Sequence, residues 1–188
     1  MKGTILIVAA HPDDEILGCA GTVARLVKEG YVAYTLILGE GIAARNEHNN
    51  IDAKSEELRQ LKEQMIEANK AIGIQKVFSY SFSDNRFDTV ALLDIVRVVE
   101  NIKNQVKPDI IFTHHEKDLN IDHQITYKAV ICSCRPLSGE TVEQIYSFEV
   151  LSSTEWNCPL GFSPDVFFNI EETIDIKLDA LRMYKSEL

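Results

Sequence analysis

The sequence predicts an α/β protein of three layers, a mainly parallel sheet flanked by helices on both faces. Three observations predict it. Short runs rich in β-branched and other apolar residues recur along the chain. Between them lie stretches with apolar residues at helical spacing, as expected for helices that cross over between parallel strands. And 188 residues with no internal repeat, low-complexity tract or dividing linker fit one domain over residues 1–188.

The elements follow in order. Residues 2–10 (KGTILIVAA) read as a buried first strand. A helix over residues 15–28 places Ile16, Cys19, Ala20, Val23, Leu26 and Val27 on one face, and Gly30 marks its end. Residues 31–38 (YVAYTLIL) form a second strand, after which Gly39 and Gly41 open a polar loop. The amphipathic stretch 53–73 is a helix that stops near Gly73, and 75–82 (QKVFSYSF) is a third strand. The loop 83–89 (SDNRFDT) ends in Asp88 and Thr89, either of which is expected to cap a helix over 90–106 that Pro108 terminates. Residues 109–115 (DIIFTHH) make a fourth strand, followed by a helix from about 122 to 134. Strand-like 144–151 (QIYSFEVL) and 165–170 (DVFFNI) precede a last helix within 171–188.

In such sheets ligands bind beyond the carboxyl ends of the strands. That rule brings HPDDE (11–15), GEGIAAR (39–45), SDNRF (83–87) and HHEKDLNIDH (114–123) to one rim.

Composition excludes several functions. A net charge of −10, from 19 basic and 29 acidic residues, argues against nucleic-acid binding and against an anionic membrane surface as partner. No apolar run approaches the roughly 20 residues needed to span a bilayer. The N-terminus meets charge directly after its first strand and lacks a cleavage signature, so the expected location is cytoplasmic. Cys19, Cys132, Cys134 and Cys158 form no C-x-x-C pair and are expected to be free thiols.

A doubly wound domain invites a dinucleotide, but the first turn opposes it. Where G-x-G-x-x-G would leave backbone amides open to a pyrophosphate, this chain has His11, Pro12, Asp13 and Asp14. Carboxylates there repel phosphate. The same residues suit a cation. His11 and Asp14 are three positions apart across a strand-to-helix turn, a spacing that lets both converge, while Asp13 between them projects elsewhere and can stand beside a water. DLNIDH (118–123) adds Asp118, Asp122 and His123 at the fourth strand end. Two histidines and one aspartate leave an open position, the pattern of a catalytic metal site, and suit zinc, with iron(II) or cobalt also fitting. The competing reading is that Asp13 or Asp14 only caps a helix.

These residues carry a resemblance. AHPDDEILGCAGT near the N-terminus and PDIIFTHHEKDLNIDHQIT later in the chain resemble the PIG-L/LmbE-like family of zinc-dependent N-deacetylases. GEGIAAR, FSDNRFDT and FFNIEETIDIKLDALRMYKSE lie in the family's order, so the likeness spans essentially the whole chain. It implies a Rossmann-like fold and hydrolysis of an N-acetyl group on an amino sugar or glycoconjugate. It further implies one zinc ion per chain on His11, Asp14 and His123, with Asp13 as the general base for a metal-activated water and Asp122, the acid beside the last ligand, in a supporting role. Asn120 departs from a family histidine that stabilises the oxyanion; asparagine can donate a hydrogen bond but no proton. His114 or His115 is expected to compensate. Arg45 and Arg86 on the rim loops are expected to touch substrate, as are His114 and His115. Trp156 is read as a core or interface residue ahead of a sugar platform, and His48 as exposed. Other amide substrates, and a non-catalytic binder of the same fold, remain alternatives. The resemblance allows a homo-oligomer, although no stretch marks an interface. Family members commonly continue past YKSE, so the usual C-terminal extension is expected to be lacking and the final helix incompletely packed.

Overall fold

The computed structural model describes residues 2–41, 51–157 and 161–185, with backbone alone for 51–54. Five strands form one sheet: β1 (Thr4–Ala9), β2 (Val32–Gly39), β3 (Ile74–Phe82), β4 (Ile110–His114) and β5 (Gln144–Phe148). Their order is β3-β2-β1-β4-β5 and every pairing is parallel. The most continuously apolar run takes the centre. Ile5, Ile7 and Ala9 point to one face and Leu6, Val8 and Ala10 to the other, all fully buried. Burying a side chain of the larger kind contributes roughly 1.5–3 kcal/mol, which favours this run between two neighbours over an edge.

The helices are α1 (Asp14–Lys28), α2 (Ile51–Ala71), α3 (Leu92–Val106), α4 (Ile121–Ser133) and α5 (Ile174–Leu181). Ile5, Ile7 and Ala9 pack with α1, α2 and α5, through Cys19, Val23, Met65 and Tyr184 among others. Leu6, Val8 and Ala10 pack with α3 and α4, through Ile95, Val99, Ala129 and Val130. Right-handed crossovers explain the division. The chain winds outward from β1 to β3 with α1 and α2 on one face, then returns to β4 and continues to β5 with α3 and α4 on the other. The direction reverses between β1 and β4, and a crevice opens at their carboxyl ends.

Close packing at α1 depends on Gly18, where a Cβ would lie 2.2 Å from the Phe148 ring of β5. Gly30 follows α1 at φ 100°, a conformation glycine adopts without strain.

Two expectations need correction. Residues 165–170 form no strand. This segment crosses α1 instead, where Arg25 and Lys28 donate to the Asn169 and Glu172 carbonyls, while Phe168 packs on Phe112 and Tyr146. Asp88 and Thr89 do not cap α3: they belong to a 3-10 turn, Phe87–Thr89, and the cap position is Ala91. The final helix is packed along one side, with Ile174 and Leu178 exposed on it. Ala180 and Tyr184 are fully buried, Thr173 donates to the Gly21 carbonyl, and Lys177 Nζ to that of Leu17. Among the described residues no helix is long and apolar enough to cross a membrane.

Candidate metal centre

Two turns build the centre, one after β1 and one after β4, side by side because these strands pair with Val8 opposite Thr113. In the first turn the chain passes Ala10, His11 and buried Pro12 and enters α1 through Asp13. The Asp14 carboxylate closes the turn by accepting the His11 N–H at 2.8 Å. The second turn runs from His115 to Asn120, whose Oδ1 accepts the Asp122 N–H at 2.8 Å and so caps α4.

His11, Asp14 and His123 are brought together. Asp14 Oδ2 lies 3.4 Å from His11 Nδ1 and 3.2 Å from His123 Nε2. One donor atom from each of the three falls within 4.8 Å of the others, and Asp14 and His123 are buried. The second nitrogen of each imidazole meets a carboxylate. His11 Nε2 is 3.0 Å from Asp122 Oδ2 and 3.1 Å from Asp84 Oδ1; His123 Nδ1 is 3.2 Å from Asp118 Oδ2. A carboxylate behind a histidine fixes its tautomer and ring plane and makes the free nitrogen a better metal ligand. This donor set, two oriented imidazoles and one carboxylate, fits a divalent metal.

Electrostatics agree. Burial works against charge on His11, but Asp122, Asp14 and Asp84 raise it well above the usual histidine range. His123 is likewise opposed by burial and raised to about 9 by Asp14 and Asp118. Burial pushes the Asp14 carboxyl up, yet His123, His114 and His11 bring it well below the ordinary value. Asp118, also against burial, is lowered to about 2 by His123, Thr154 and the Asn120 amide. The cluster therefore holds closely packed charge that a cation can compensate.

The remaining predicted site residues fall in distinct places. Asp13 has φ 105° and ψ −31°, and its side chain makes no cap bond to the helix. Asp122 is fully buried; besides meeting His11 it accepts the Asn85 and Phe87 N–H groups at 2.6 and 2.9 Å, locking the loop after β3. Arg86, between those residues, is exposed on that loop. Asn120 keeps its amide close to Asn85, with Nδ2 3.4 Å from Asn85 Oδ1. His115 is half-buried, stands edge-on to Phe162, and lines a cavity of about 680 Å³ beside β5. Arg45 and His48 lie outside the described residues.

The expectation that His114 touches substrate is corrected. His114 is fully buried, stacked on His123 with ring centres 3.9 Å apart, and its Nε2 accepts the Ala10 N–H at 2.9 Å. Burial, with His123 beside it, keeps it neutral. Among the described residues its Nδ1 has no hydrogen-bond partner. It is a support under the centre, joining the ends of β1 and β4. Trp156 is 71% exposed, which removes the core reading for it.

Three further acids stand at the centre in roles that the sequence did not assign to them. Asp84 and Asp118 are buried against the histidines, and Asp118 is held in turn by Ser153 and Thr154. Glu15 is fully buried and bound by Tyr184 and Asn69; burial lifts its carboxyl to about 7. Their shared signal was an acidic residue beside a strand end, which spacing alone cannot separate from surface charge.

Comparison with known proteins follows the same lines. Residues 6–133 match the family model described as PIG-L: GlcNAc-PI de-N-acetylase. An Escherichia coli K12 protein described as the uncharacterized deacetylase YaiS is 32% identical over 188 residues, 97% of this chain and 90% of that protein. A Bacillus cereus protein, described as a probable N-acetyl-α-D-glucosaminyl L-malate deacetylase 2, is 30% identical over all of this chain and 84% of its own length. Among solved structures, the N,N'-diacetylchitobiose deacetylase of Pyrococcus horikoshii superposes with a TM-score of 0.79 at 17% identity, covering 99% of this chain and 71% of that one. At that identity the likeness speaks for the fold.

Proposed function

This chain belongs to the PIG-L family, and we propose that it is a zinc-dependent hydrolase that removes the N-acetyl group from an amino sugar or glycoconjugate. The observation that carries the proposal is the convergence of His11 Nδ1, Asp14 Oδ2 and His123 Nε2 at the β1/β4 crevice, each imidazole backed by a buried carboxylate. The relatives' deacetylase descriptions, one naming an N-acetylglucosaminyl conjugate, support the bond and the substrate class.

His11, Asp14 and His123 would hold one zinc ion, whose chemistry there is to lower the pKa of water and to polarise the amide carbonyl. The protein residues do the rest. Asp13, which precedes the ligand Asp14 and makes no side-chain cap bond, takes a proton from the attacking water as the water oxygen bonds to the acetyl carbon. The carbonyl oxygen gains negative charge, which the Asn120 amide stabilises in this reading by donating a hydrogen bond. Asp13 then returns the proton to the nitrogen as the C–N bond breaks, leaving acetate and a free amine. Arg86 and His115, on loops of the same rim, bind the sugar or its conjugate, as does Arg45.

The test is acetate release from a panel of N-acetylglucosamine conjugates, with protein stripped of metal and then reloaded with zinc. Zinc is expected to restore turnover. Asp13→Asn is expected to keep one zinc per chain and to lose about 10²–10⁴-fold in kcat, the usual contribution of a positioned base. Zinc-loaded protein that releases no acetate from any conjugate would sink the proposal, and near wild-type turnover by Asp13→Asn would remove the base.

A further inference from the structure

Asp13 stands at the start of α1 in a backbone conformation that a residue with a side chain adopts at a cost of roughly 1–3 kcal/mol. An aspartate at this position ordinarily turns inward and accepts an amide of the first helical turn; here it makes no such bond. What holds the main chain in place is Glu15. Its Oε2 accepts the Asp13 N–H at 3.0 Å. Its Oε1 accepts Asn69 Nδ2 at 2.7 Å and the Tyr184 hydroxyl at 2.6 Å. Asn69 is itself fixed, donating to the Met65 carbonyl and accepting the Thr35 hydroxyl. The donors thus come from α2 and from the segment after α5, and they meet at a carboxylate with no exposed surface.

A favourable interaction with the helix dipole would not require this. A carboxylate in the first turn serves that purpose while exposed, whereas a buried one costs several kcal/mol unless its oxygens are fully engaged. The unusual feature that the buried arrangement fixes is the Asp13 amide. We infer that Glu15 is a positioning residue: braced by Tyr184 and Asn69, it holds Asp13 so that the carboxylate stays out of the helix cap and faces the reaction. The inference rests on Asp13 being the base proposed above.

Glu15→Gln in the full-length, zinc-loaded protein is the direct test. Whichever way the new amide is turned, its NH₂ faces a donor, so either the Asp13 bond or the brace is lost. The Asp13 amide proton should exchange faster with solvent, an observation independent of turnover. Zinc content and KM should stay at wild-type values while kcat falls by about 10–100-fold, part of a base's full contribution. In an Asp13→Asn background the same change should have no further effect, because Glu15 acts through Asp13. Should Glu15→Gln not fold, Tyr184→Phe, which removes one donor to the brace, should lower kcat about threefold at unchanged KM. Unchanged kcat in the folded variant, unchanged Asp13 exchange, or an equal loss in the Asp13→Asn background would overturn the inference. Failure of the underlying reading is separable: without the activity the wild-type protein would release no acetate, and without the base Asp13→Asn itself would turn over normally.

Discussion

The two turns that form the centre are held in opposite ways. The turn after β4 closes on itself: Asn120 caps α4 with an ordinary backbone, φ −69° and ψ 125°, Asp118 accepts the Asn120 N–H, and Gln124 donates to the Asp118 carbonyl. These partners are within six residues of one another, with remote support added at Asp118 by Ser153 and Thr154 and at the Lys117 carbonyl by Asn157. The turn after β1 has a strained entry at Asp13 and draws its support from Asn69, Tyr184 and His114, residues remote in sequence. The locally closed turn presents a candidate ligand, His123. The remotely braced turn presents the proposed base. Strain is retained where a side chain must be kept from its easiest hydrogen bond, and distant residues are the means of keeping it there.

Removing the point where the turns meet has the largest effect. His123→Ala takes away one of the three proposed ligands, so bound zinc should fall to background and acetate release with it, as a metal assay on the purified protein will show. Zinc retained at one per chain would mean that the turns do not share an ion.

Next come the carboxylates behind the histidines. Asp118→Asn and Asp122→Asn should each weaken zinc binding by about 10–100-fold, the usual consequence of losing such a partner. They should differ elsewhere. Asp122 also fixes the loop that carries Arg86, so its replacement should raise KM, whereas that of Asp118 should not. Competition with a chelator and steady-state kinetics separate the two.

The smallest effects have opposite signs. Asn120→Ala removes a conventional cap and should cost about 1 kcal/mol of stability. Asp13→Gly relieves a positive φ and should leave stability unchanged or raise it by up to about 1 kcal/mol, while abolishing activity. Denaturant unfolding of the metal-free proteins measures both. A loss of stability in Asp13→Gly equal to that in Asn120→Ala would show the first turn to be no more strained than the second.

Much of this was legible in the chain. The period-two apolar run of β1 and the helical spacing of α1 set the order of elements, because each follows from which faces a segment must bury. Strand-end position was enough to bring His11 and Asp14 close to His123. Less legible was anything that required a partner to be known. The stretch 165–170 has strand-like residues, yet it joins neither edge of the sheet and lies across α1 instead. His114 and His115 are adjacent and chemically alike, yet one is sealed beneath the centre and the other stands at the rim.

The sequence by itself determined the strand and helix periods, the place where ligands would gather, and the residue types able to hold a metal. Those depend on spacing along one chain. Only the tertiary structure decided which of five neighbouring acids, Asp14, Glu15, Asp84, Asp118 and Asp122, faces the open side and which stands behind a histidine or braces a turn. The physical reason is that a carboxylate's role follows from its partners, and here these come from elements as much as 169 residues away.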